Sequence, residues 1–275
     1  MNGRDHSYWK SLLAAAALAL VSMLFSSLSS AVQMSVEEIL KRVSATYQDA
    51  QNYRIVAEKN VTVASVGEER SPNGSRTYSN YHNSTNTEIT LEIAAPAKAR
   101  LAVREEKQEL VFVSNGQTTW IYAPRRKEYL EQPATAEHPT AQPVSNQEQG
   151  ANPFSQYEIL LVNRFRNLSM YGTTAVMEKE GTIKVGADKV GCYVLKIESK
   201  GGTHELWVDE NRFLILRSID TTPTPQDGIS MQTTVTFDVK EANLNAKLDA
   251  TLFTFAPPEN TKKVEVLKGF SGKAP

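Results

Sequence analysis

Cysteine, histidine and charge excess are all scarce in this sequence. Cys192 is the single cysteine among 275 residues. A lone thiol closes no internal disulfide, so the fold must rest on a buried core. It also excludes a multi-cysteine zinc site. The four histidines are His6, His82, His138 and His204. None stands at a metal-binding spacing such as His-Glu-x-x-His, and each reads as a surface residue. The 30 Lys and Arg nearly cancel the 31 Asp and Glu, leaving a formal net charge of −1. That balance argues against nucleic acid and against a strongly basic membrane-docking face. No Gly-x-Ser-x-Gly elbow and no phosphate-cradling glycine loop occurs. No catalytic residue, metal ligand or cofactor is therefore expected, and the chain is read as a non-enzyme.

Long apolar runs are missing everywhere except at the start. Residues 1–31 have the three parts of a secretory signal. Arg4 and Lys10 are the positive region, 12–25 is an apolar run, and Ser29 and Ala31 fit a cleavage site. The run falls short of the ~20 residues that span a hydrocarbon core. No cysteine follows the site to carry a lipid anchor. The expectation is an exported protein cleaved near Ala31, with 32–275 as one domain. Roughly 240 residues are enough to bury a single large β-rich core.

Ser35 stands three residues before Glu38, a capping-box spacing, and Val36, Ile39, Leu40, Val43 and Tyr47 follow at helical period. From Tyr53 the period becomes two. Ile89, Leu91 and Ile93 alternate with charged or polar residues, as do Ala99, Leu101 and Val103. That is the pattern of antiparallel strands with one greasy face. Two polar stretches, 67–86 and 131–152, read as long loops. Asn115 and Gly116 between two apolar runs signal a tight hairpin. Arg125, Arg126 and Lys127 form a small basic run, read as a solvated loop. Ser155 and Glu158 repeat the capping-box spacing, and Ile159, Leu160, Val162, Phe165 and Leu168 supply a second helix with apolar contacts. Further strands are expected at 175–185, 192–198, 203–208, 213–220, 231–239 and 253–255. Cys192 heads one of them and reads as a buried, inert thiol. The count is about ten short strands and two helices. The expected fold is mainly β (α+β), an unclosed antiparallel barrel with helices over its open side.

Two motifs point to a family. Segment 110–124 reads LVFVSNGQTTWIYAP, and 252–258 reads LFTFAPP. The first resembles the Val-Ser-Asp-Gly-Lys-Thr-x-Trp-x-Tyr-x-Pro segment of the LolA family of periplasmic lipoprotein carriers. The second is similar to that family's Phe-Thr-Phe-x-Pro-Pro. The early helix and the Asn152, Pro153, Phe154 opening of the central helix fit in order. The resemblance implies a soluble periplasmic carrier, without cofactor, that shelters lipoprotein acyl chains or another lipid in a half-barrel cavity. It implies an inner-membrane releasing complex and an outer-membrane acceptor as partners, and a monomer. The family has an Arg before the proline of an early strand, which helps hold the lid shut. Ala95 stands there in this sequence. Regulators of the RseB type share the fold and bind an anti-sigma factor. They carry a further C-terminal domain, whereas this chain ends at Pro275, so the carrier is the first expectation and a binding or sensing module the second. The expected cavity contacts are Ile89, Leu91, Ile93, Leu101, Val103, Phe112, Trp120 and Tyr122. Ile39, Val43, Leu160 and Phe165 are the expected lid residues.

Overall fold

The protein is seen in a computed structural model that describes residues 34–70, 76–134, 153–172, 174–226 and 229–267. The expected export signal, 1–31, lies outside the described residues. Helix α1 (Val36–Gln48) follows Ser35 directly. Glu37 and Glu38 sit in its first turn, where the helix dipole favours negative charge. Arg42 adds an ion pair to Glu38 one turn away at 2.8 Å. Its stripe of Ile39, Leu40, Val43 and Tyr47 is buried.

Two antiparallel meanders follow. The first is β1 (Asn52–Arg70), β2 (Arg76–Ala94), β3 (Lys98–Glu105), β4 (Glu109–Ser114), β5 (Thr118–Ala123) and β6 (Glu128–Pro133). The second, after helix α2 (Pro153–Leu161), is β7 (Ala175–Val185), β8 (Asp188–Ser199), β9 (Gly202–Asp209), β10 (Ile215–Gln226) and β11 (Ile229–Asn243). β1 pairs with β11 and fuses the two into one sheet. A short β12 (Lys262–Lys263) joins β6 in parallel, for twelve strands among the described residues where about ten were expected. β7 stands at one end of the strand order yet lies in contact with β11, so this half of the sheet curls. Among the described residues the two ends, β12 and β7, do not pair, and the sheet is unclosed as expected.

The register defines the faces, because directly paired residues share one. Phe112 pairs with Leu101, Leu101 with Leu91, and Leu91 with Ile55. The same face continues through Ala57, Val239, Phe237 and Ser218 to Leu206 and Leu195. Both helices pack on it. Phe154 of α2 meets Phe112 edge-on at 6.0 Å, and Tyr53 donates a buried hydrogen bond to Glu158 at 2.7 Å. Tyr47 of α1 accepts from the Ile215 amide at 3.1 Å. The chain after β11 wraps the opposite face. Its 3₁₀ turn Ala250–Phe253 packs on β3 and β4, and Phe255 lies against Trp120, Tyr122 and Tyr129.

Four expectations change. Within the stretch 67–86, residues 67–70 and 76–86 are strand rather than loop, since β1 and β2 stay paired out to Arg70 and Arg76, and 71–75 lie outside the described residues. Residues 82–86 are all exposed, so no buried face gives this arm a period of two to read. The stretch 131–152 starts as strand, to Pro133, and 135–152 lies outside the described residues. Ser155 does not begin a helix. α2 starts at Pro153, where a proline loses nothing because the first amides of a helix are unpaired anyway. Residues 253–255 are not a strand, because the Asp249 side chain accepts from the Thr251 amide at 2.9 Å and caps a 3₁₀ turn instead. The 115–116 hairpin holds, by a different route. Gly116 has φ +94°, while Asn115 works through its side chain, accepting from the amides of Gln117 and Thr118 at 2.9 Å each.

Candidate functional site

Between α2 and β7 the chain makes two short 3₁₀ turns, Asn163–Phe165 and Leu168–Tyr171. This segment is laced to α1. The Ser169 amide donates to Ser44 Oγ at 2.9 Å, Gln48 donates to the Arg166 carbonyl at 3.0 Å, and Arg166 donates to the Ala50 carbonyl at 3.0 Å. Phe165 packs edge-on to Tyr47 at 5.1 Å. Burial holds the Tyr47 phenol well above its usual pKa.

Beneath the segment lies a cavity of about 420 Å³. Its floor is the shared face of β8, β9 and β10. Strand alternation puts Leu206 and His204 on this face together. His204 pairs with Ile197 on one side and Asp220 on the other. Phe165, Leu168 and Tyr171 form the roof, so the walls are mainly apolar. A volume of this order suits a small ligand or part of a chain molecule. The polar groups cluster at one rim. Arg164 Nη1 donates to Asp220 Oδ2 at 2.6 Å, and Nη2 donates to Ser218 Oγ. His204 Nδ1 lies 2.8 Å from Asp220 Oδ1. The Arg164 guanidinium also lies 4.7 Å from the Phe165 ring centre. Arg164 thus pins the roof to β10. Met170 of the Leu168–Tyr171 turn and Val176 of β7, 72% and 55% exposed, add apolar surface open to solvent. The arrangement can exclude water from an apolar group and offer hydrogen bonds at one end. Among the described residues no three His, Cys, Asp or Glu side chains are grouped to hold a metal ion.

The expected contacts fall elsewhere. Ile89, Leu91, Ile93, Leu101 and Phe112 are buried in the core of the first meander, with Val103 half-buried beside them. α2 packs over β2 and β3 on this side. None of the six lines the cavity. Trp120 and Tyr122 are a correction. Their partners are Val113 and Val111, which alternate with Phe112, so both rings point to the opposite face and lie against Phe255. Of the expected lid residues, Ile39 and Val43 are buried beneath the lid's own helix, Leu160 is half-buried, and only Phe165 lines the cavity. His204 is not an isolated surface residue but a partner of Asp220. Sequence order held no sign of this, because His204 meets Asp220 through the pairing of β9 with β10, and Arg164 reaches Asp220 from the 3₁₀ turn packed above them. Ala95 is exposed, and its amide donates to Asn52 Oδ1 at 3.1 Å. Cys192 is buried, and burial followed by the nearby carboxylates of Asp209 and Glu210 pushes its thiol up to about 11.

No curated protein matches the chain. Solved structures do. An uncharacterized conserved protein from Thermus thermophilus is 14% identical, with 84% of this chain and 99% of that one covered and a TM-score of 0.36. MucB, in the Pseudomonas aeruginosa MucA/MucB complex, is 16% identical, with 80% of this chain covered and a TM-score of 0.35. This chain spans about 60% of that MucB chain. A candidate outer membrane lipoprotein-sorting protein domain from Vibrio parahaemolyticus is 9% identical, with 79% and 95% covered and a TM-score of 0.24. The family described as predicted periplasmic protein DUF2092 matches residues 36–267, and the chain belongs to that periplasmic family.

Proposed function

We propose that the protein is a periplasmic carrier that shelters an apolar group, such as an acyl chain of a lipoprotein or another lipid, in the cavity under the 3₁₀ segment. The observation that supports this is the cavity itself, about 420 Å³ with Phe165, Leu168, Ile197 and Leu206 in its walls. Each methylene taken from water into such a site gains about 0.8 kcal/mol, so even a short stretch of chain would bind measurably. The polar rim of Arg164, His204 and Asp220 would receive the wetter end of the ligand. Delivery toward the outer membrane is part of this reading. A second reading is an envelope module that senses a bound partner without transporting it. The tethering of the roof to both α1 and β10 favours that reading, because a pinned roof retains its ligand.

Native mass spectrometry of protein purified from its host tests for a bound lipid or lipopeptide. A fluorescent acyl probe should bind saturably, and Leu206→Arg should weaken it at least tenfold by placing a charge in the apolar floor. No co-purified lipid together with no probe uptake would reject both readings of the cavity. Retention of the probe in the presence of acceptor vesicles would reject the carrier and leave the sensing module.

A further inference from the structure

The four central strands outrun their neighbours. β1 and β2 are paired to Arg70 and Arg76, β11 follows β1 to Gly67, and β10 follows β11 to Gln226. β3 stops at Glu105, opposite Thr87, and β9 starts its pairing at Thr203, opposite Thr221. Among the described residues this leaves an arm with two open edges, 76–86 on β2 and 222–226 on β10. An open edge presents unpaired main-chain N–H and C=O groups, a template for another strand.

The two edges are built differently. On β10, Pro223 and Pro225 keep their places in the ladder with β11. Proline has no N–H, so a proline that stays in a ladder stands where an outward donor would otherwise be. The β10 edge is therefore interrupted. Between 77 and 87, β2 contains neither proline nor lysine nor any other residue of fixed charge. These are the devices by which proteins defend an edge, and past Arg76 the open stretch of β2 lacks them. Its side chains brace the hairpin from within. Asn60 donates to Ser84 Oγ at 3.0 Å, and Asn86 donates to Glu58.

A groove of about 630 Å³ lies where β3 would continue alongside β2. Thr85, Asn86 and Glu88 line it along β2, Arg104 and Lys107 lie at the end of β3, and Arg125 stands beyond. With strands ~4.8 Å apart, ~3.3 Å of rise per residue and ~10 Å between layers, one strand residue needs roughly 160 Å³. The groove thus has room for about four residues of strand. Glu105 and Glu106 also line it, so its three cations face three carboxylates and it favours no charge sign.

We infer that the β2 edge of the arm is a docking site for an extended, uncharged polypeptide segment of a partner protein. The segment adds as a strand beyond the end of β3, with main-chain hydrogen bonds to β2 and one end seated in the groove. The site uses none of the cavity's residues and stands or falls independently of the carrier reading.

The probe is a fluorescein-labelled synthetic peptide with the sequence of residues 60–67, NVTVASVG. That sequence is uncharged and already pairs with β2 from the other side. Mature protein should bind it saturably, and amide exchange at 82–86 should slow on saturation. Outward and inward N–H groups alternate, so Ser84→Pro and Thr85→Pro are both made. One of them should weaken binding at least tenfold with an unchanged Tm. Thr85→Lys, which needs no backbone change, should also weaken it. The same peptide with proline in place of its threonine should not bind. Absence of saturable binding, or binding indifferent to all three protein variants, overturns the proposal. A concentration-dependent dimer in sedimentation velocity that the same variants abolish also overturns it, because the occupant is then a second copy.

Discussion

Arg164 ties the roof of the cavity to the sheet. It contacts Asp220 and Ser218 on β10 and stacks near Phe165 within its own turn. Arg164→Met keeps much of the stem but removes the donors, leaving Asp220 and Ser218 short of partners. The expected loss is about 1–3 kcal/mol, read as a lower urea midpoint. Exchange of the Ser169 amide, bonded to Ser44 in α1, should change less than that of the amides nearer Arg164, because only the β10 tether is cut. An Arg164→Met protein with an unaltered midpoint would show that the latch contributes nothing. Ala95 makes the point from the other side. The guanidinium that the LolA resemblance leads one to expect on the strand is absent, and the arginine that ties cover to sheet comes from the cover itself.

At the scale of elements, turns decide where strands end. Gly202, which opens β9, has φ +143°, and a Cβ there would fall 2.0 Å from the Thr221 carbonyl oxygen of β10. Gly202→Ala therefore meets strained backbone and main-chain overlap at once, and should cost about 3 kcal/mol or more. Gly116→Ala, with φ +94° but its nearest contact 3.2 Å away at the Ala97 Cβ, should cost less. Thermal unfolding of the two variants side by side checks the order. What the sequence made legible follows the same physics. The bounds of β7, Ala175–Val185, were readable although a bulge between Met177 and Lys179 breaks its period, and α1 was readable from its buried stripe, which repeats one period against one dry face. The β1–β2 arm was not, since exposed strands have no dry face to imprint a period. The 253–255 segment misled because two phenylalanines at a spacing of two look like a strand whether or not a cap such as Asp249 bends the chain first. The parity of Trp120 and Tyr122 was readable in principle from the alternation with Phe112. The meeting of Arg164, His204 and Asp220 was not, because it depends on the register of β9 against β10 and on where the 3₁₀ turn carrying Arg164 packs.

Among the buried titratable groups, the Cys192 thiol and the Tyr47, Tyr53 and Tyr157 phenols favour their protonated forms, whereas Asp209 favours its carboxylate. Burial, then nearby carboxylates, raises the Cys192 thiol from 9.0 to about 11. Burial, then Glu105, raises the Tyr157 phenol from 10.0 to about 12, and Tyr47 and Tyr53 are raised as well. Each group holds its proton more tightly folded than unfolded. Their contribution is complete below about pH 9 and is lost as pH rises through the unfolded values toward the folded ones. The urea midpoint should thus fall steadily between pH 9 and 11, and Cys192→Ser should remove the earliest part of that fall. A flat profile would contradict it. The last consequence comes from how the two meanders are joined. α1 belongs in sequence to the first meander but packs against the 3₁₀ turns and β7 of the second half. The 3₁₀ turn at Ala250–Phe253 and β12 belong to the second but lie on β3, β4 and β6 of the first. Each half wears a cover supplied by the other, as subunits do when they exchange arms. Neither half is complete alone, and the chain should melt as one unit. Calorimetry should give a single peak, and fluorescence from Trp120 and Trp207, one in each half, should report the same midpoint.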